Sequence, residues 1–122
     1  RAKLHIQDEI IRGKYELVCS YMLDYENSRN PDQMKRQSIK TYQDIFCSYY
    51  VSVEHIDELQ KKISDIMKDN IAYQDASHLA CAIFSGCDYL LTTDKLFQKR
   101  YKGNDIMILN PLEFIQIMDG EI

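Results

Sequence analysis

The chain has 122 residues, 45% of them apolar and 28% charged, with a net charge of -4. That size fits one globular domain, residues 1–122, able to bury about two thirds of its unfolded surface without metal or disulfide staples. The acidic balance excludes the broad basic footprint of a dedicated duplex-DNA binder, so any nucleic-acid contact would rest on a local patch or on metal ions.

The four cysteines, Cys19, Cys47, Cys81 and Cys87, lack CxxC spacing. Three of them sit among apolar neighbours, as small core residues do in a reduced, cytoplasmic setting. No apolar run approaches the roughly 18 residues that a membrane helix needs, and no signal segment opens the chain, so no membrane partner is expected.

In chain order, Leu4, Ile6, Ile10 and Ile11 with Gly13 behind them predict an opening helix without a start methionine or a cap. The chain thus reads as starting inside a domain. Tyr15 to Cys19 is a short strand, and Ser20 caps a helix carrying Met22, Leu23, Tyr25 and Glu26 that ends at Asn30-Pro31. Asp32 caps a further helix through Met34, Ile39, Tyr42, Ile45 and Phe46, whose Lys, Arg and Gln residues mark it as a solvated arm.

Tyr49 to Val53 is aromatic and β-branched enough for a strand, and Glu54 to Met67 has its apolar residues at helical spacing. A helix over Tyr73 to Ser85 follows, stopped by Gly86, then a buried strand Tyr89-Leu90-Leu91. Asp94 caps a short helix through Phe97. Ile106 to Leu109 is the last strand, and Asn110-Pro111 starts a terminal helix with Phe114 and Ile117. Apolar strands alternating with helices predict an α/β fold with a parallel sheet covered on both faces.

In such a sheet, ligands bind at the carboxyl ends of the strands. Three acids map there: Asp94 directly after a strand, Asp75 in the first turn of the preceding helix, and Glu26 in the helix after the first strand. A helix of roughly 12 residues spans about 18 Å, and a short strand running back beside it returns Asp94 toward Asp75. Three carboxylates about 5 Å apart would repel by roughly 3 kcal/mol per pair at an effective dielectric near 20. A hard divalent cation, Mg²⁺ or Mn²⁺, relieves that repulsion and can activate water against a phosphodiester.

Simpler readings stand beside this one. Asp75 and Asp94 could be ordinary helix N-terminal carboxylates, and Glu26 a solvated helix residue. His78, one turn from Asp75, reads as a packed or surface residue and is left outside the site. No GxGxxG, P-loop, HExxH or GxSxG string is present. Tyr42, Tyr49 and Tyr50 near Lys35, Arg36 and Lys40 could stack on single-stranded RNA, or could form a solvated face.

The run Asp75-Ala76-Ser77-His78-Leu79-Ala80-Cys81-Ala82, then Gly86 to Phe97 and Ile108 to Phe114, resembles the C-terminal half of PIN-domain proteins. Glu16 to Ser20 leading to Leu23-Asp24-Tyr25-Glu26-Asn27 is similar to that family's second strand and glutamate-bearing helix. The resemblance implies a three-layer α/β/α sandwich around a parallel central sheet. It also implies a Mg²⁺- or Mn²⁺-dependent ribonuclease, often the VapC-like toxin of a toxin–antitoxin pair, with an antitoxin protein or a second copy as partner. By the same likeness Glu26, Asp75 and Asp94 are metal ligands and catalytic residues, Thr93 is a supporting hydroxyl, and Asp88 is structural.

The family opens with a central strand ending in another aspartate, and nothing in the sequence ahead of the first helix supplies it. The expectation is therefore a PIN-like domain with its first strand missing, which another polypeptide could complete. A strand with three large apolar residues contributes about 1.5–3 kcal/mol for each, comparable to a domain's margin of roughly 5–15 kcal/mol. Loss of the fourth acid favours a second reading, an inactive PIN-like module that docks RNA or protein. A phosphoacceptor domain is a third, weakened by the lack of a strand-end aspartate with a partner lysine.

Overall fold

The computed structural model describes residues 1–120, so the last two residues of the expected domain lie outside the described residues. The chain is mixed α/β, with seven α-helices and four short strands among the described residues. None of the helices is long and apolar enough to cross a membrane.

Helix α1 (Ala2–Ile11) buries Ile6 and is followed by Gly13 at φ +83°, a left-handed conformation open to glycine at little cost. Strand β1 (Leu17–Ser20) passes directly into α2 (Tyr21–Ser28), because the Ser20 hydroxyl accepts the Leu23 amide at 3.3 Å and caps the helix. Asp32 does the same for α3 (Gln33–Phe46), accepting from the Lys35 amide at 3.1 Å. No residue of α3 is buried, as expected of a solvated arm.

Strand β2 (Cys47–Val51) begins straight after α3, earlier than the expected Tyr49 to Val53. The shift has a local cause: Ser52 caps a 3-10 turn (Val53–His55) by accepting the Glu54 amide at 3.2 Å, which removes Val53 from the strand. Helices α4 (Ile56–Met67) and α5 (Tyr73–Phe84) pack along each other, and Gly86 at φ +76° turns the chain into β3 (Tyr89–Leu91). After α6 (Lys95–Arg100) and β4 (Met107–Leu109), a capping box of Asn110 and Glu113, with both bonds at 2.8 Å, starts α7 (Pro111–Asp119).

The strand pairs are parallel, as expected, but they form two sheets of two strands rather than one continuous sheet: β1 with β2, and β3 with β4. The main core lies under α4 and α5, where Leu59, Ile63, Leu79 and Val51 are fully buried and Val18 and Leu90 pack from the two sheets. A smaller cluster of Ile6, Leu109 and Phe114 takes Tyr89 and Leu91 from the other face of β3. There the Tyr15 and Tyr89 rings meet Phe114 edge-on at 5.0 and 5.2 Å. All four cysteines are free thiols, with Cys19 and Cys81 buried.

Because Leu79 is completely enclosed on the inner face of α5, Leu79→Ala should cost about 2–5 kcal/mol of unfolding free energy. Urea denaturation measures this, and a loss below about 1 kcal/mol would show that the α4–α5 face is not tightly packed.

Candidate acidic site

The site is built at the carboxyl ends of β1 and β3. Glu26 lies in α2, which leaves β1 without a loop; Asp94 lies just past β3; and Asp75 occupies the first turn of α5. The Asp94 position is rigid. Its Oδ1 accepts the Leu96 and Phe97 amides at 3.0 and 3.2 Å, so the N-cap reading holds for this residue. Its own amide donates to the Thr92 hydroxyl at 3.1 Å, and the Thr92 amide donates to the Leu109 carbonyl at 2.9 Å, tying the loop to β4. Thr93 is exposed, and its neighbour Thr92 is the threonine that holds Asp94. Asp88 has a structural contact at the strand entrance, its carbonyl accepting the Met107 amide at 3.3 Å.

Asp75 is different. The N-cap of α5 is Ala72, and no capping side-chain bond forms there, so the simple capping reading does not describe Asp75. Its carboxyl is half-buried and its pKa is raised above the ordinary 3.8, first by burial and then by the Asp94 carboxylate, with Glu26 adding to the rise and His78 opposing it. Asp94 and Glu26 are therefore each within electrostatic reach of Asp75. They do not chelate in this arrangement: among the described residues, no three His, Cys, Asp or Glu side chains stand close enough to hold one metal ion together.

Two of the three acids have another partner, Asp94 in the amides of its own helix and Glu26 in His78. Glu26 Oε1 lies 2.9 Å from His78 Nε2, one turn along α5 from Asp75. His78 is thus a member of the site that sequence reading set aside. The signal available was its position three residues after Asp75, on the same helix face, while its partner on α2 could not be read locally. With Glu26 substantially exposed, this contact is worth at most about 1 kcal/mol, weak enough for Glu26 to exchange partners.

Four of the aromatic and basic residues of α3 and β2 make side-chain contacts within the chain. Tyr42 donates to the Gln7 carbonyl at 3.0 Å, Tyr50 to Asp24 at 2.6 Å, Arg36 to the Asn30 carbonyl at 2.7 Å, and Lys40 pairs with Asp44 at 3.2 Å. Nearby, the Cys19 thiol is pushed up to about 12 by burial and by adjacent Cys47.

Comparison with protein families, curated proteins and solved structures finds no match to this chain. The acidic edge itself makes a thermodynamic prediction. Because the folded state raises the Asp75 pKa, it holds a proton that the unfolded chain releases, so stability falls as pH rises from about 3.8 through the raised value. In EDTA, Asp75→Asn should therefore raise Tm at pH 7 by about 1–4 °C, with the difference vanishing in acid. Thermal unfolding at pH 3 and 7 checks it, and a lower Tm at pH 7 would contradict it.

Proposed function

We propose that this domain is a PIN-like three-layer α/β/α sandwich and a Mg²⁺- or Mn²⁺-dependent ribonuclease, with Glu26, Asp75 and Asp94 as its acidic residues. The observation that supports this most directly is the Asp75 carboxyl, raised by burial and by two further carboxylates at the carboxyl edge of the strands. That donor set is all oxygen, which suits a hard cation. When bound, such an ion supplies charge neutralisation at a scissile phosphodiester and makes an attacking water more acidic.

The chain's own residues do the rest. Asp94 is fixed by its cap and by Thr92, giving the site one immobile carboxylate. Glu26 is held 2.9 Å from the His78 imidazole and would be the carboxylate contributed by α2 to a bound cation. Asp75, whose pKa is raised by burial and by the Asp94 and Glu26 carboxylates, would gain from any positive charge held beside it. With a net charge of -4 the protein offers RNA little long-range attraction, so phosphate affinity would depend on the cation. A toxin role would add an antitoxin protein, or a second copy, as partner.

A second reading, a PIN-like module that docks RNA or protein without cleaving, is favoured by one arrangement. Glu26 is engaged by His78 and Asp94 by its helix, which leaves Asp75 as the acid free of a capping bond.

Cleavage of single-stranded RNA should require Mn²⁺ and be abolished by EDTA, and Asp75→Asn should lower the rate by about 10²–10³-fold, as expected for a group facing developing charge. Undiminished cleavage by that variant, or cleavage in EDTA, would reject the proposal. Saturable RNA binding without any cleavage would select the docking reading.

A further inference from the structure

Two of the four free thiols stand side by side at the seam between β1 and β2. The strands are parallel, with Leu17 opposite Cys47, Val18 opposite Tyr49 and Cys19 opposite Tyr50, a register that leaves Ser48 without a partner. Alternate residues of a strand share a face, so Leu17 and Cys19 face the same way, and Cys47, opposite Leu17, faces with them. The skipped residue brings Tyr50 onto that face as well. The Cys19 thiol is hydrogen-bonded to Cys47, while the Cys47 thiol donates to the Tyr49 carbonyl at 3.0 Å.

The two sulfurs differ in access. Cys19 is 3% exposed, whereas Cys47 is only half-buried, and both line an open cleft together with Asp24, Lys40 and Tyr50. A small reagent entering the cleft therefore meets Cys47 first. A disulfide needs its sulfurs about 2 Å apart and its Cβ atoms about 3.5–4.5 Å apart, so the seam must tighten for the bond to form. Two features make that inexpensive: the ladder is already interrupted at Ser48, and α3, which runs straight into Cys47, buries none of its residues.

We propose that Cys19 and Cys47 form an intramolecular disulfide on exposure to a low-molecular-weight disulfide, which makes the β1–β2 seam a reversible thiol–disulfide site. Cys47 gives its proton to solvent and attacks one sulfur of the reagent. The reagent's S–S bond breaks, and the first small thiol leaves with a proton from water. Cys19 then loses its proton, attacks Cys47 Sγ and displaces the second small thiol, which is protonated in turn. Two cysteine thiols are thereby oxidised by two electrons, and one small disulfide is reduced to two thiols.

The order of attack follows from burial, which pushes the Cys19 thiol up to about 12 and makes it the slower of the two steps. In a reducing compartment the free thiols prevail and the bridge belongs to oxidising conditions. The loop that it closes contains α2 and α3, and with them Glu26, and it pins the end of the solvated α3 to β1. The site stands on the two strands and does not depend on nuclease activity.

The test treats the folded, whole chain with oxidised glutathione, alkylates the remaining thiols and maps the peptides by mass. A glutathione adduct on Cys47 should appear first and then decline as a linked pair of peptides accumulates, one with Cys19 and one with Cys47, lighter than their sum by the two lost hydrogens. The free-thiol titre should fall to half and return fully with dithiothreitol. Cys47→Ser, a change at a half-buried position, should remove the linked pair with the circular dichroism unchanged, and the wild-type map decides alone if that variant misfolds. A glutathione adduct that persists on Cys47 beside a free Cys19, a bridge between chains, a bridge through Cys81 or Cys87, or no loss of thiols would overturn the proposal. RNA cleavage is not read, so failure here is separable from failure of the ribonuclease reading.

Discussion

Burial of the Asp75 carboxyl, compounded by the neighbouring Asp94 and Glu26 carboxylates, is the constraint on which the acidic site depends. Asp75 sits in the first turn of α5, where the helix dipole favours a negative charge. Burial and the facing Asp94 and Glu26 carboxylates nevertheless outweigh that help and raise its pKa. The result is an edge that binds a proton more readily than isolated aspartates would, and that gains from any added positive charge. The contact between His78 and Glu26, at 2.9 Å, joins α5 to α2 beside Asp75.

Helix α5 reconciles this unfavourable edge with a stable fold. Its inner face, with Ala76, Leu79 and Ala80 fully buried against α4, anchors it. Its first turns carry Asp75 and His78, with His78 meeting Glu26 of α2. Leu79, fully buried on the same helix, anchors the element that carries Asp75 in a position that raises its pKa. The same helix packs against β1 and β3, so the site and both sheets share one scaffold.

Much of the fold was legible because caps and stops carry local chemistry. Ser20, Asp32, Asp94 and the Asn110–Glu113 pair each accept the amide bonds that their positions imply, and Gly13 and Gly86 take the positive φ that ends their helices. Strand β3 falls on Tyr89–Leu91 as its apolar run indicates. The register of β2 was less legible, since Ser52 decides the boundary through a hydroxyl bond that competes with the β-branched signal of Val53. The split into two sheets was not legible from periodicity at all, because a short apolar run says that a strand is buried and not which strand lies beside it. Within the site, the acids could be placed by topology. The Glu26–His78 contact and the bond from the Thr92 amide to Leu109 join residues remote in sequence, whereas the Thr92 hydroxyl bond to the Asp94 amide is local.

The convergence of Glu26, Asp75 and Asp94 is tested most directly by carbon-detected NMR titration of the Asp75 carboxyl in metal-free protein, before and after Asp94→Asn. The account predicts an Asp75 pKa above 3.8 that moves downward once the Asp94 charge is removed. An Asp75 carboxyl that titrates in the ordinary aspartate range and is unmoved by Asp94→Asn would contradict it.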